Sequence, residues 1–500
     1  MRYILLFIIC TFLISISSCR KDFTTTPSFG KLEFSKDTVF LDTVFTNIGS
    51  ATYNLKVYNR SNKDISIPSI QLENGTASNY RLNVDGIAGK EFNEISILAK
   101  DSMYVFVETT IDFSSVSDPL YTDRILFDNG INEQGVELVT LVKDANFIFP
   151  GRDAISMEID SLVLNDKKWA RGRYLIDDEL TINNTKPTVI YGYAAVPSGK
   201  TLTIEAGAKI YFHDNSGLVI DDGATLHVNG TLSEKVVFEG DRLENRFGNV
   251  SGQWGGIWLR AGSKDNEIHH TQIKNGIVGL LVDGYEEITT PTLKIDNTEI
   301  YNHSAYGLYG RITNIEANNI VIGSAGLYSL AATIGGVYNF THSTFANYWN
   351  NSLRQAPAVL VNNFLKYRND SNELITETAD LHAANFTNCI FSGNSNIEFV
   401  LYKEEGALFN YNIRNSMIQF NDMNNDFENN LELDFTNPNY QNIIQNGNPD
   451  FRAPQENDFI IGQNSEGINK ASSSIFTFDI LGMDRTTSPD IGAYQHIIFD

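Results

Sequence analysis

Cysteine is almost absent. There are three in 500 residues, and two of them, Cys10 and Cys19, stand at the extreme N-terminus. Only Cys389 remains in the body of the chain, so no intramolecular disulfide framework is available. It sits in the alternating run Phe386-Thr387-Asn388-Cys389-Ile390-Phe391 and reads as a buried small apolar residue, with no histidine base beside it. Positive charge is also scarce: 37 Lys and Arg against 61 Asp and Glu give a net charge of −24. That balance repels nucleic acid and bare anionic membrane, so neither is expected as a partner for the chain as a whole. No apolar run beyond Ile16 is long enough to span a bilayer. Glycine-rich phosphate signatures lack their strand–helix context. No metal site is expected, because His269, His270 and His303 have no cysteine or third ligand at zinc spacing. Calcium is the one cofactor left open: Asp221-Asp222-Gly223 is a fragment of an EF-hand loop, and scattered oxygens can bind that ion.

What is present begins with Arg2, an apolar stretch from Ile4 to Ile16, and the small residues Ser17 and Ser18 before Cys19. Together they read as a secretory signal peptide. Ile16-Ser17-Ser18-Cys19 resembles the bacterial lipobox, which implies cleavage before Cys19 and lipidation of its sulfur. Residues 1–18 are then the signal peptide and 19–30 a polar tether rich in Thr, Ser and Pro. Arg20-Lys21-Asp22 is similar to the charged export signals of Bacteroidetes surface lipoproteins, although Phe23 replaces a second acidic residue. The expected location is the outer membrane, facing outward, with the acyl chains on Cys19 as the membrane contact.

From 31 to 148 short β-like runs follow one another, among them Tyr53–Tyr58, Ile65-Ser66-Ile67 and Tyr104–Val107. Their period-two alternation gives each strand one buried face. Polar turns such as Asp128-Asn129-Gly130 separate them. The expectation is an immunoglobulin-like β-sandwich.

From 150 to 500 the rhythm changes. Thr201–Gly207, Ala208–Phe212, Gly217–Ile220, Ala224–Thr231 and Val236–Gly240 each carry two or three inward apolar residues and then a turn residue. Two-residue hairpin signals are missing between them, so successive strands stack as coils. Ile273-Lys274-Asn275, Ile300-Tyr301-Asn302 and Ile320-Val321-Ile322 read as equivalents, 27 and 20 residues apart. Gly279-Leu280, Gly307-Leu308 and Gly326-Leu327 continue their coils. Phe345-Ala346-Asn347, Cys389–Asn394 and Met417–Phe420 mark later turns of the same form. Ile204, Ile210, Phe238, Ile257 and Ile300 are expected inside. Gly240-Asp241-Arg242, Gly252–Ile257 and the terminal Ser488–Tyr494 resemble right-handed parallel β-helix lipoproteins of Bacteroidetes, within the pectin-lyase-like fold. The whole chain is therefore expected to be all-β: a sandwich followed by a right-handed parallel β-helix.

A long β-helix face suits an extended polysaccharide. The candidate site is the charged insertion 239–251 and its neighbours. Asp241, Arg242, Trp254 and Trp258 are the candidate ligand contacts, because an outward indole makes a flat platform for a sugar. Asp241, Glu244 and Asp265 are the candidate catalytic carboxylates. The loop also has a purely structural reading, since solvated loops collect such residues. The expected function is a non-catalytic glycan-binding or adhesion-type module. The alternatives are a polysaccharide lyase or glycoside hydrolase, and a structural envelope protein.

Overall fold

The computed structural model describes residues 24–164, 167–285 and 289–499. The expected signal peptide and Cys19 lie outside the described residues. The chain divides into two compact units, Met1–Asp144 and Ala145–Asp500. The break falls at 144 because Asn146–Ile148 pairs with Thr188–Ile190 as a strand of the second unit.

In the first unit, one sheet runs in the order Thr26–Pro27, Ile65–Leu72, Leu120–Phe127, Gln134–Lys143 and Thr38–Phe45, with Glu91–Ile97 also against Ile65–Leu72. The other contains Glu33–Phe34, Tyr53–Tyr58, Ser102–Thr109, Tyr80–Val84 and Ile87–Gly89. The alternating apolar residues of both meet in one core, with Val39 and Leu138 from the first and Val57 and Val105 from the second.

The second unit is a stack of coils with three parallel ladders, here called faces A, B and C in the order the chain visits them. Face A is an eleven-stranded ladder that includes Lys209–Phe212, Val236–Gly240, Thr271–Lys274, Glu299–His303 and Val321–Ala325. Face B includes Tyr193–Val196, Gly217–Ile220, Gly256–Leu259 and Val278–Asp283. Face C includes Thr201–Glu205, Thr225–Asn229, Asn266–His269 and Leu293–Asp296. Two long strands, Tyr306–Asn318 and Tyr328–Thr341, run from face B into face C. Every second residue points inward and joins one continuous apolar core. Ile204, Ile210, Phe238, Ile257 and Ile300 are all inside it, fully buried.

Stacking register defines the repeat more finely than spacing does. Phe238, Ile273, Ile300, Ile322, Phe345, Phe391 and Ile418 form one inward row. The expected equivalence of Ile300 with Ile320 is thus shifted: the partner is Ile322. Likewise Leu308 stacks on Leu330, not Leu327.

From His270 onward the corner between faces C and A is held by one left-handed residue per coil. The series is His270, Asn297, Asn319, His342, Asn388, Asn415 and Asn442, all with φ between 44° and 59°. Asparagine tolerates this region because its short amide bonds locally. Here the amides also bond between coils: Asn319 Nδ2 donates to Asn297 Oδ1 at 3.1 Å, and Asn442 Nδ2 to Asn415 Oδ1 at 2.8 Å. His270 is therefore a corner residue. His303 is a fully buried one whose Nε2 lies 3.2 Å from the Ile273 carbonyl. Cys389 is buried, and burial pushes its thiol up to about 12.

Two features lock the later coils. Arg354 and Glu398 form a fully buried ion pair at 2.6 Å, and Glu398 also accepts from the amides of Ala358 and Ser395. The terminal segment covers the outside of face A. Phe459, Ile480, Ala493 and Tyr494 pack on its outward Val321 and Ala346, and the Tyr494 hydroxyl reaches Glu299 at 3.2 Å. In the Ser488–Tyr494 motif, Asp490 is buried and accepts from Asn469 N and His496 N, which fixes that cover in place.

Candidate functional site

Outward residues of face B stack in register into rows. One row runs Asp221, Arg260, Asp283, Arg311, Thr333, Asn362 and Tyr402, each position adjoining the next through paired strands. Charge alternates along its first four members. Asp221 pairs with Arg260. Asp283 takes a two-pronged pair from Arg311, 2.6 Å on each oxygen. That hydrogen bond, with the Asp283 charge behind it, raises the Arg311 guanidinium further above its ordinary value. The next row runs Val219, Trp258, Leu281, Tyr309 and Ala331. Trp258 is half-buried, and its Nε1–H donates to Asp283 Oδ2 at 2.8 Å. A third row brings Val278, Tyr306 and Tyr328 into line.

Aromatic rings fill the strip between. Tyr306 stacks on Tyr309 at 4.5 Å and on Tyr328 at 6.0 Å, nearly parallel to both. At the other end, the hairpin Ser161–Leu164 and Lys167–Tyr174 contributes Trp169, 43% exposed and edge-on to Trp258 at 5.3 Å. The Tyr174 hydroxyl from that hairpin donates to Asp221 Oδ2 at 2.8 Å. Face B thus presents indole and phenol surfaces beside two fixed carboxylates.

The sequence-predicted residues are distributed differently. Trp258 lies on face B. Trp254 does not: it is completely buried, lies flat on Phe212 at 4.2 Å, and donates Nε1–H to the Lys274 carbonyl at 2.9 Å. The expected ligand platform at Trp254 is corrected on this ground. The strand starts only at Gly256, whose φ of +146° turns the chain and resets the alternation. A Cβ at Gly256 would run into the Val278 carbonyl.

Asp241, Arg242 and Glu244 are together in the loop at the A-to-B corner, each with a partner. Asp241 holds His213 Nδ1 at 2.7 Å, and that hydrogen bond raises the imidazole above its ordinary value. Arg242 bonds Glu244 and covers the Phe247 ring. Burial works against the Glu244 charge, but hydrogen bonds from Arg242 and its own backbone, with the Arg246 charge, hold the carboxyl below its usual range. Gln253 Nε2 ties the loop down through the carbonyls of Phe247 and Val250, both at 2.7 Å. Asp265 is an exposed left-handed residue at the B-to-C corner, the opposite edge of face B from Asp241. The structure therefore does not bring Asp265 to the Asp241 loop. Among the described residues, no three His, Cys, Asp or Glu side chains cluster as metal ligands.

Asp283, Arg311, Arg260 and Trp169 escape the sequence reading, and Asp221 enters it only as part of a calcium-loop fragment. A signal exists. In Leu259-Arg260, Val282-Asp283 and Gly310-Arg311 a charge follows directly after the residue at one stacked inward position. Coil alignment would expose it.

Residues 174–283 match the family model described as a pectate-lyase like beta helix domain. No curated protein matches the chain. Among solved structures, the catalytic unit of a thermostable GH87 α-1,3-glucanase from Streptomyces thermodiastaticus strain HF3-3 shares 11% identity, with 73% of this chain and 74% of that one covered and a TM-score of 0.26. A family 123 glycoside hydrolase from Clostridium perfringens shares 11% identity over 22% of this chain and 25% of its own, with a TM-score of 0.16. Likenesses that distant carry no argument. The family match does, because it spans the coils that bear Asp221, Trp258, Arg260 and Asp283. It corrects the expectation of a non-catalytic binding or adhesion module in favour of the catalytic alternative.

Proposed function

We propose that this chain is an enzyme that cleaves an extended polysaccharide laid along face B. The observation that carries the reading is the row Asp221, Arg260, Asp283 and Arg311 beside Trp258. Asp221 and Asp283 are two strand spacings apart, about 10 Å of backbone separation. Two carboxylates so placed leave room for a sugar and a water between them. Trp258 and the Tyr306–Tyr309–Tyr328 stack offer rings for the apolar faces of neighbouring units. Asp283, fixed by Trp258 and Arg311, is the base. Asp221, with the Tyr174 hydroxyl on its Oδ2, is the side from which the leaving oxygen is protonated.

The test is Asp283→Asn, which removes the ionisable group at nearly constant shape. Turnover on the cleaved polymer should fall by about 10²–10⁴-fold while circular dichroism stays native. Undiminished turnover would remove Asp283 from the chemistry.

The setting belongs to the same proposal. The chain is read as an exported lipoprotein of the Bacteroidetes β-helix type, held at the outer membrane through Cys19 and displayed outward. The lipobox-like segment and Arg20-Lys21-Asp22 support this. Cys19→Ala should abolish acyl labelling, and protease shaving of intact cells should release the protein if it faces outward.

A further inference from the structure

Resting on the reading of face B as a polysaccharide-cleaving surface, we infer that its substrate is a neutral glycan, not a polyuronate, and hence that cleavage is hydrolytic. Three outward rows form the strip that a bound chain meets from the Trp258 coil to the Tyr328 coil, beyond the exposed Lys167, Lys168 and Arg171 of the Trp169 hairpin. In those rows the only cations are Arg260 and Arg311, and both are already neutralised by a carboxylate of the same row. Arg311 is the clearer case, since both of its bonds to Asp283 are 2.6 Å long and Asp283 is largely shielded from solvent. A uronate brought to this row would face Asp221 and Asp283 without a free guanidinium to take it, and breaking a formed pair to supply one is costly. The rest of the row, Thr333, Asn362 and Tyr402, offers hydroxyl, amide and phenol groups, which suit sugar hydroxyls. The strip beside it is apolar or aromatic through Trp258, Leu281 and Tyr309. From the Trp258 coil to the Tyr328 coil this character persists over three strand spacings, about 14 Å. The net charge of −24 repels a polyanion before contact.

Neutrality decides the chemistry. Elimination needs an acidic proton next to a uronate carboxyl, which a neutral sugar lacks. Hydrolysis remains: the oxygen of a water bonds to the anomeric carbon as the glycosidic C–O bond breaks. The bond's electron pair stays on the leaving oxygen, which takes the proton of the Tyr174 hydroxyl held on Asp221, a proton that solvent then replaces, while Asp283 takes one from the attacking water.

Affinity electrophoresis of the full chain tests the inference, with gels containing a β-glucan, an α-glucan, a mannan, a xylan, polygalacturonate or alginate. The last two are run with and without calcium. Retardation by at least one neutral polymer and by neither uronate is expected. Retardation by a uronate, or by none of the six, overturns it. Product analysis on the retarding polymer separates the two readings. A bound but uncleaved neutral glycan upholds the substrate class and defeats the enzyme, whereas cleaved polygalacturonate upholds the enzyme and defeats the class. Asp283→Asn provides a second arm, since it frees Arg311. Its retention by polygalacturonate should rise about tenfold over wild type, the size of one charge-assisted hydrogen bond. No gain in a natively folded variant counts against the masking argument.

Discussion

Faces A and B are made from the same coils by the same alternation, and both turn charged and aromatic side chains outward. On face A, Tyr211, Glu239, Lys274 and Tyr301 form a row much like the one on face B. Lys274 and Glu239 are 2.9 Å apart, and burial raises the Tyr301 phenol well above its ordinary value. Farther along the same face the terminal segment lies over the outward side chains, whereas the middle of face B keeps its rings and ion pairs half-open. An outward position therefore supplies chemistry only where nothing later in the chain seals it. Residue type and phase do not distinguish the two; the cover does.

The largest test of that contrast concerns sealed against open ion pairs. Arg354→Met leaves Glu398 buried without its cation and should cost about 3–5 kcal/mol in denaturant unfolding. Removing an open pair on the sandwich, Arg60 with Glu33, should leave the unfolding midpoint essentially where it is. Equal losses would erase the distinction.

Adjacent residues on face B sharpen it next. Ile257 points in and Trp258 points out. Ile257→Ala should lose about 2–5 kcal/mol. Trp258→Ala should unfold at nearly the native midpoint yet lose polymer retention in affinity gels.

A pH experiment follows. Burial pushes the His303 imidazole from 6.5 down to about 4. The unfolded chain takes up this proton as pH falls through 6.5, whereas the folded chain does so only near 4. Stability owed to His303 is thus complete above 6.5 and lost progressively down to 4, by about 3 kcal/mol in all. His303→Gln should flatten the pH dependence of chemical unfolding by that amount over this window. An unchanged slope would mean that His303 is already protonated in the fold.

The smallest effect is expected at the corner loop. Arg242→Ala removes the half-exposed partner of the buried Glu244 but leaves Arg246 3.7 Å from it, and should shift the unfolding free energy by roughly 1 kcal/mol, with no change in turnover. A large fall in turnover there would return the corner loop to the catalytic site.

Most of the fold was legible because period-two alternation and turn residues are local. Ile273, Ile300 and Phe345 could be aligned by eye, and all three lie in one inward row. Ile320 and Leu327 were misplaced by two and three residues, because each is an apolar residue close to the true partner, Ile322 or Leu330, and only the pairing between coils distinguishes them. Trp254 was misread for a related reason: alternation predicts facing only within an unbroken strand, and Gly255-Gly256 breaks it. Of the site, Trp258 was visible because tryptophan is conspicuous. Asp283 and Arg311 were not, since their pairing belongs to neighbouring coils 28 residues apart and no local pattern records it.

The single left-handed residue between faces C and A has a consequence for how such a chain can change length. An extra residue there has to be absorbed as a wider corner, as in the earlier coils at 206–208 and 230–235, where Ile210, Phe238 and Ile273 nevertheless stay in one inward row. From His270 onward the long excursions fall elsewhere: residues 348–358 at the A-to-B corner, and residues 363–380, with the hairpin Phe364–Arg368 and Leu374–Thr378, at the B-to-C corner. Both of those corners border face B. Along these later coils the long loops therefore lie at the rims of one face, so the walls beside face B can be reshaped while the coil stack beneath keeps its register.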